Sequence, residues 1–295
     1  GRDIFGYYPG MNGLRHQGPF GDEWISGGYL KNFGIIAVVF IFLNFKSNNK
    51  INILNIFILF VFLAIFLSGE KMAIILFIFF IIIFYLIYFK KFLKSIWIFL
   101  LLFLVLASYI FLKDVNFDNK TNKFDKLVHR YNNQFLSVLG FGDNSKTIIF
   151  DTIHGVHLIT AYEIFKQNKL IGSGIKTFRI VCRDINPKII NGYGVSYGRA
   201  LGNRCTTHPH NFVMEILSET GLLGLLSYLF FLFMILKSFN WNFQQNSNFN
   251  LPYFFSLIMY IFPFATSGSF FNNYNSIIFW TILSFLFFNN KKLKN

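Results

Sequence analysis

The chain has 295 residues, 54% of them hydrophobic and only 14% charged, with a formal net charge of +14. Ordinary soluble domains carry about 25% charged residues, so this composition excludes one and fits a membrane protein whose partners are lipid and anionic groups, not nucleic acid. The chain begins at Gly1 without a signal-peptide pattern, which reads as a piece cut from a longer protein.

In chain order, a segment over 1–24 precedes the first of seven apolar stretches. These cover 25–45, 51–68, 72–89, 95–112, 211–236, 251–266 and 275–289. About 20 residues rising 1.5 Å each cross a hydrocarbon core, so each is read as a spanning helix. The last two are short and interrupted by Pro252, Pro263 and Gly268. Lys and Arg in short loops mark the cytoplasmic side. Lys46, Lys50, Lys90, Lys91, Lys94, Lys237, Lys291, Lys292 and Lys294 fall on one side, and only Lys71, beside Glu70, on the other. This puts 1–24 and the long segment 113–210 outside, in a periplasm if the cell has one. The expected fold is all-α: a polytopic membrane protein with about seven transmembrane helices and one long periplasmic loop. By regions it is an outer N-terminal segment (1–24), four spans (25–112), the loop (113–210), then three spans and a cytoplasmic tail (211–295).

The loop carries fourteen Lys and Arg against seven Asp and Glu, which favours an anionic partner. Its first third is polar and of low complexity. Ile149, Ile153, His157, Ala161 and Ile164 recur at helical spacing and predict a helix from about Thr147 to Lys166, ending before the turn of Gly172 and Gly174. The stretch 175–211 is rich in Gly and Arg without clear period, the composition of a binding loop. It also holds the chain's two cysteines, Cys182 and Cys205. Outside the cytoplasm these are expected to pair, closing a loop and stabilising it by about 3 kcal/mol. Two unrelated thiols, or a metal held with His208 or His210, are the alternatives, though no CxxC spacing supports a metal.

The stretch HPHNFVMEILSETGLLG, 208–224, sets His208 and His210 at the mouth of an apolar helix. Pro209 suits a first helical turn, so His210 and Asn211 are expected inside it, where the positive helix end would keep the imidazole neutral and attract an anion. The bland reading makes both histidines interfacial caps. Glu215 and Glu219 are the acidic residues of the spanning stretches, and ionisable groups there are functional by default. At 100° per residue Glu219 lies opposite His210, so it is expected to be a structural partner for another helix. Gly221 and Gly224 share the face of His210 and would allow close helix packing.

The spacing His210-Asn211, nine residues, Gly221, two residues, Gly224 resembles the signature of the O-antigen ligase and polymerase superfamily of bacterial membrane glycosyltransferases. LIGSGIKTFR at 170–179 is similar to that family's glycine turn, and LRHQGPFGDEWISGGYL at 14–30 to its outer segment before a span. LSGEKMA at 67–73 departs from the family pattern, with Glu70 and Lys71 where many members carry Ser-Arg. The family usually has further N-terminal helices.

The resemblance implies transfer of a glycan from undecaprenyl pyrophosphate to a sugar hydroxyl, on a lipid A-core or another glycan, at the periplasmic face of the inner membrane. His210 would be the base or orient the acceptor. Arginines suit the pyrophosphate because the guanidinium fork binds two oxygens and keeps its charge. Arg15 and Arg179 are the first candidates, then Arg204 and Arg183, with Asn211 and His208 beside the substrate. No cofactor or metal is expected: Asp-x-Asp, GxGxxG and GxxxxGK are absent. A transporter would need polar groups along several spans, and most have none in their interior. A structural subunit would leave the His-Asn-Gly-Gly pattern unexplained. Ligase and polymerase stay open, with a slight preference for ligase.

Overall fold

The computed structural model describes residues 20, 25–44, 50–88, 152–238, 250–263 and 268–292. Among them every regular element is a helix. The chain divides into two compact units, one of residues 1–145 with 243–260, the other of 146–242 with 261–295. The expected span 95–112, the first third of the loop and Arg15 lie outside the described residues.

The first unit contains α1 (Ser26–Asn44), α2 (Lys50–Ser68), α3 (Lys71–Tyr88) and α9 (Asn250–Tyr260). The first three match expected spans and are long and apolar enough to cross a membrane. They are apolar all round: Val38, Leu54, Ile65, Phe80 and Tyr85 are buried between helices, while Phe40, Phe60 and Phe79 remain exposed. That distribution suits helices with protein on one side and acyl chains on the other. Gly34 lets α1 approach α2, since a Cβ there would meet the side chain of Val61. The turn between α2 and α3 is polar and occupied. Gly69 takes φ 76°, the Ser68 hydroxyl donates to Ile65 O (2.6 Å), and Glu70 Oε1 accepts from Gly27 N (3.1 Å). Glu70 thereby satisfies a backbone donor in the first turn of α1.

The second unit contains α4 (Ile153–Gln167), α5 (Phe178–Val181), α6 (Pro187–Asn191), α7 (Tyr197–Asn203), α8 (Phe212–Ser238) and α10 (Asn273–Lys292). Thr152 caps α4, its hydroxyl accepting from Gly155 N (3.0 Å). The face of α4 carrying Val156, His157, Thr160, Ala161 and Ile164 is buried, whereas Ile153 is exposed.

The stretch read as an aperiodic binding loop folds into α5, α6 and α7, each too short to show a period. Phe178, Cys182, Ile185, Ile190, Val195 and Ala200 form one core with Val156, Ile159 and Ile164 of α4. Cys182 and Cys205 are joined in a disulfide. Tyr193 closes the rim: its hydroxyl donates to Glu163 Oε1 (2.5 Å), and Lys166 Nζ reaches the same oxygen at 2.6 Å.

The expected span 211–236 is not one straight rod. Gly221 has φ 67° and ψ −163°, which breaks α8 into 212–220 and 222–238. Beyond the break Leu223, Leu226, Phe230 and Phe233 are exposed; before it Glu215, Ser218 and Glu219 are buried. Among the described residues four helices, α1, α2, α3 and α8, are long and apolar enough to span. The expected spans 251–266 and 275–289 appear as the 11-residue α9 and as α10, whose apolar part covers Asn273–Phe287.

Candidate active site

A helix break orphans backbone hydrogen-bonding groups, which need protein partners wherever water is excluded. Here the turn after α4 supplies them. The carbonyls of Ser218 and Glu219 accept from Ser173 N (3.0 Å) and Gly174 N (2.8 Å), and the amides of Leu222 and Leu223 donate to Lys169 O (2.8 Å) and Leu170 O (3.1 Å). Two glycines make this approach possible. A Cβ on Gly172 would collide with the Glu219 carbonyl, and one on Gly221 with the Leu170 carbonyl. The close approach expected at Gly221 is therefore to the 168–174 turn rather than to another helix, because a left-handed glycine opens the helix instead of grooving it. A Cβ on Gly224 would strike the Thr220 side chain of its own helix.

Each buried polar residue ahead of the break is engaged. Glu219 accepts from Lys176 N (2.6 Å) and Phe178 N (3.1 Å), so its carboxylate caps α5, whose own N-cap Thr177 makes no side-chain cap bond. Glu215 accepts from Ser269 Oγ (2.5 Å) and Phe270 N (2.6 Å). Asn211 Oδ1 accepts from Met214 N (3.0 Å), and its Nδ2 donates to Pro263 O (2.6 Å).

Asn211 is thus the N-cap of α8, and His210 lies outside the helix. This corrects the expectation that both sit in the first turn. Pro209 does not open α8, because the Asn211 side chain is the better acceptor for the orphan amides. His210 takes φ 56°, a left-handed backbone uncommon for a non-glycine residue. Strain of this kind persists where the surroundings fix it.

The ring points into a cluster of imidazoles. From His210 the ring centroids of His208, His157 and His154 lie at 4.2, 5.2 and 5.4 Å. His157 is buried, its Nδ1 without a hydrogen-bond partner. Burial first, then the neighbouring His154, pushes its pKa down to about 4, against an opposing backbone hydrogen bond at Asn203. His157 is therefore neutral at pH 7. His208 Nδ1 is 2.9 Å from Thr207 Oγ1. No group of three or more His, Cys, Asp or Glu among the described residues is arranged to hold a metal ion.

The expected arginines divide. Arg179 stands exposed on α5, the helix capped by Glu219, and Arg183 is exposed beyond its end. Arg204 turns back on the protein: its guanidinium donates to Leu201 O (2.6 Å) and approaches Arg183 O (3.5 Å) at the end of α7. Sequence reasoning missed His154, and it placed His157 only on a helical face. Two spaced pairs, 154/157 and 208/210, hold four of the six histidines in the chain and were the available signal.

A broken spanning helix, mended by a glycine turn and carrying an imidazole cluster at its mouth, defines a helical multi-pass membrane protein with a polar site built on a loop subdomain. The chain belongs to the O-antigen ligase family: the family model described as O-antigen ligase matches residues 56–229, more than half of it. The matched region contains α3 through the first part of α8 and the whole histidine cluster. Members are membrane glycosyltransferases that act as ligases or polymerases on polysaccharide substrates. No curated protein matches the chain.

Proposed function

We propose that this protein is a glycan ligase moving a chain from undecaprenyl pyrophosphate to a lipid A-core hydroxyl at the periplasmic face of the inner membrane. The observation that carries the proposal is His210, held left-handed just ahead of α8 with three imidazoles around it. In the reaction the acceptor oxygen attacks the anomeric carbon, the bond from that carbon to the pyrophosphate oxygen breaks, and the hydroxyl proton passes to His210. A neutral His157 against the same ring adds no competing positive charge. The departing pyrophosphate gains negative charge, which Arg179 and Arg15 offset, with Arg183 as a further contact and His208 beside the substrate, while Arg204 and Asn211, already bonded within the protein, shape the site around them. Because guanidinium groups supply that charge, transfer is expected to survive chelation of divalent cations.

The test uses the full-length gene, deleted in its native host and complemented with wild type or His210→Ala. Loss of long-chain lipopolysaccharide, with long glycan accumulating on the lipid carrier, supports a ligase. A core bearing a single repeat unit assigns the chain to the polymerases instead. An unchanged profile rejects both and returns the transporter and structural-subunit readings.

A further inference from the structure

The apolar residues on the turn that mends α8 have no role in the site described above. Leu170, Ile171 and Ile175 are 66%, 71% and 60% exposed, and Ile180 on α5 is 64% exposed. Lys169, Lys176 and Arg179 stand exposed among them. The turn's height is fixed by its backbone bonds. Leu222 and Leu223, which donate to Lys169 O and Leu170 O, open the exposed apolar half of α8. From Leu222 to Ser238 that half measures about 25 Å at 1.5 Å per residue, close to the hydrocarbon thickness. If that half is the span, Leu222 lies at one boundary of the hydrocarbon core, with the turn bonded beside it at the same depth.

We infer that the segment 169–180 is a membrane-interface insertion, with Leu170, Ile171 and Ile175 in the acyl region and Lys169, Lys176 and Arg179 against anionic lipid phosphates. Three observations converge on lipid as the occupant. The turn that carries the apolar side chains is bonded through its backbone to Leu222 and Leu223, where the exposed face of α8 begins. The interleaved charges are all positive, matching anionic headgroups. The turn's amides at 172, 173 and 174 are already bonded, to Asn168, Ser218 and Glu219, so it enters without exposing those donors. The insertion would hold α5, and Arg179 on it, at the level where a lipid-linked pyrophosphate lies. It rests on the span of α8, not on the transferase reading.

The experiment is depth measurement by spin labelling of the full chain in phosphatidylethanolamine and phosphatidylglycerol vesicles. Both native cysteines are paired, so an added thiol is labelled alone. Labels at Ile171→Cys and Ile175→Cys are compared with Leu226→Cys on the exposed face of α8 and Ile189→Cys on α6. Oxygen collision exceeding that of a water-soluble nickel chelate several-fold at 171 and 175, as at 226 and opposite to 189, is expected. A preference for nickel at 171 and 175 overturns the inference in favour of water. Access to neither reagent overturns it in favour of protein covering the turn, and no oxygen preference at 226 removes the span on which it depends. The same readings on His210→Ala keep this result separate from any loss of transfer.

Discussion

Buried polar groups are sparse along α1, α2 and α3, where Ser26, Lys31 and Ser68 serve three whole helices. The short stretch 212–220 of α8 holds Glu215, Ser218 and Glu219; the two carboxylates are bonded to groups from elsewhere in the unit, and the Ser218 hydroxyl donates to Glu215 O within the helix. The contrast teaches where specificity lies in a chain so rich in Phe and Ile. Interchangeable apolar contacts suffice to hold spanning helices side by side. A site that must hold one imidazole in one orientation needs directional bonds, which fail individually when a partner is lost.

That comparison can be broken in several ways. The largest effect is expected on catalysis: His210→Ala should lower glycan transfer by about 10²–10⁴-fold or more while leaving the protein in the membrane, as read on lipopolysaccharide gels and by membrane fractionation. Near-wild-type transfer would remove the histidine cluster from the chemistry. Next, Gly221→Ala forces a side chain into the Leu170 carbonyl at positive φ, and should cost about 2–4 kcal/mol in detergent unfolding. Gly198→Ala, with no atom near its added methyl, should change little.

Replacing Cys182 and Cys205 by Ser should cost about 3 kcal/mol. Hydrogen exchange should then rise in 178–205 and stay unchanged in α1 to α3.

The smallest effect at neutral pH belongs to His157, because it appears only on acidification. Its pKa, about 4 when folded and 6.5 ordinarily, means the unfolded chain binds the extra proton first. Stability is then full above pH 6.5 and declines as pH falls toward 4, by up to about 3 kcal/mol. His157→Phe should flatten that window of an unfolding-versus-pH curve.

Much of the architecture was legible beforehand. The first three spans were readable because each apolar run is long, and 18 or 19 residues with a single Lys apiece have one stable solution in lipid. The pairing of Cys182 with Cys205 was readable because only two cysteines exist, both in the same loop segment. The helices α5 to α7 were not, since four to seven residues are too few for periodicity and their stability comes from the shared core around Phe178 and Ile190.

The candidate site shows the same boundary. Sequence alone determined that His210 and Asn211 precede an apolar helix, because chain neighbours and composition fix that much. Three things had to wait for the tertiary structure: that Asn211 caps the helix while His210 stays outside, that Gly221 breaks α8 and Gly172 fits the break, and that His154 and His157 reach His210 from more than fifty residues away. Local propensity carries no information about which distant backbone will satisfy an orphaned amide or which distant ring will cover an imidazole. Those choices are made when the buried polar groups are paired, and pairing is a property of the folded chain.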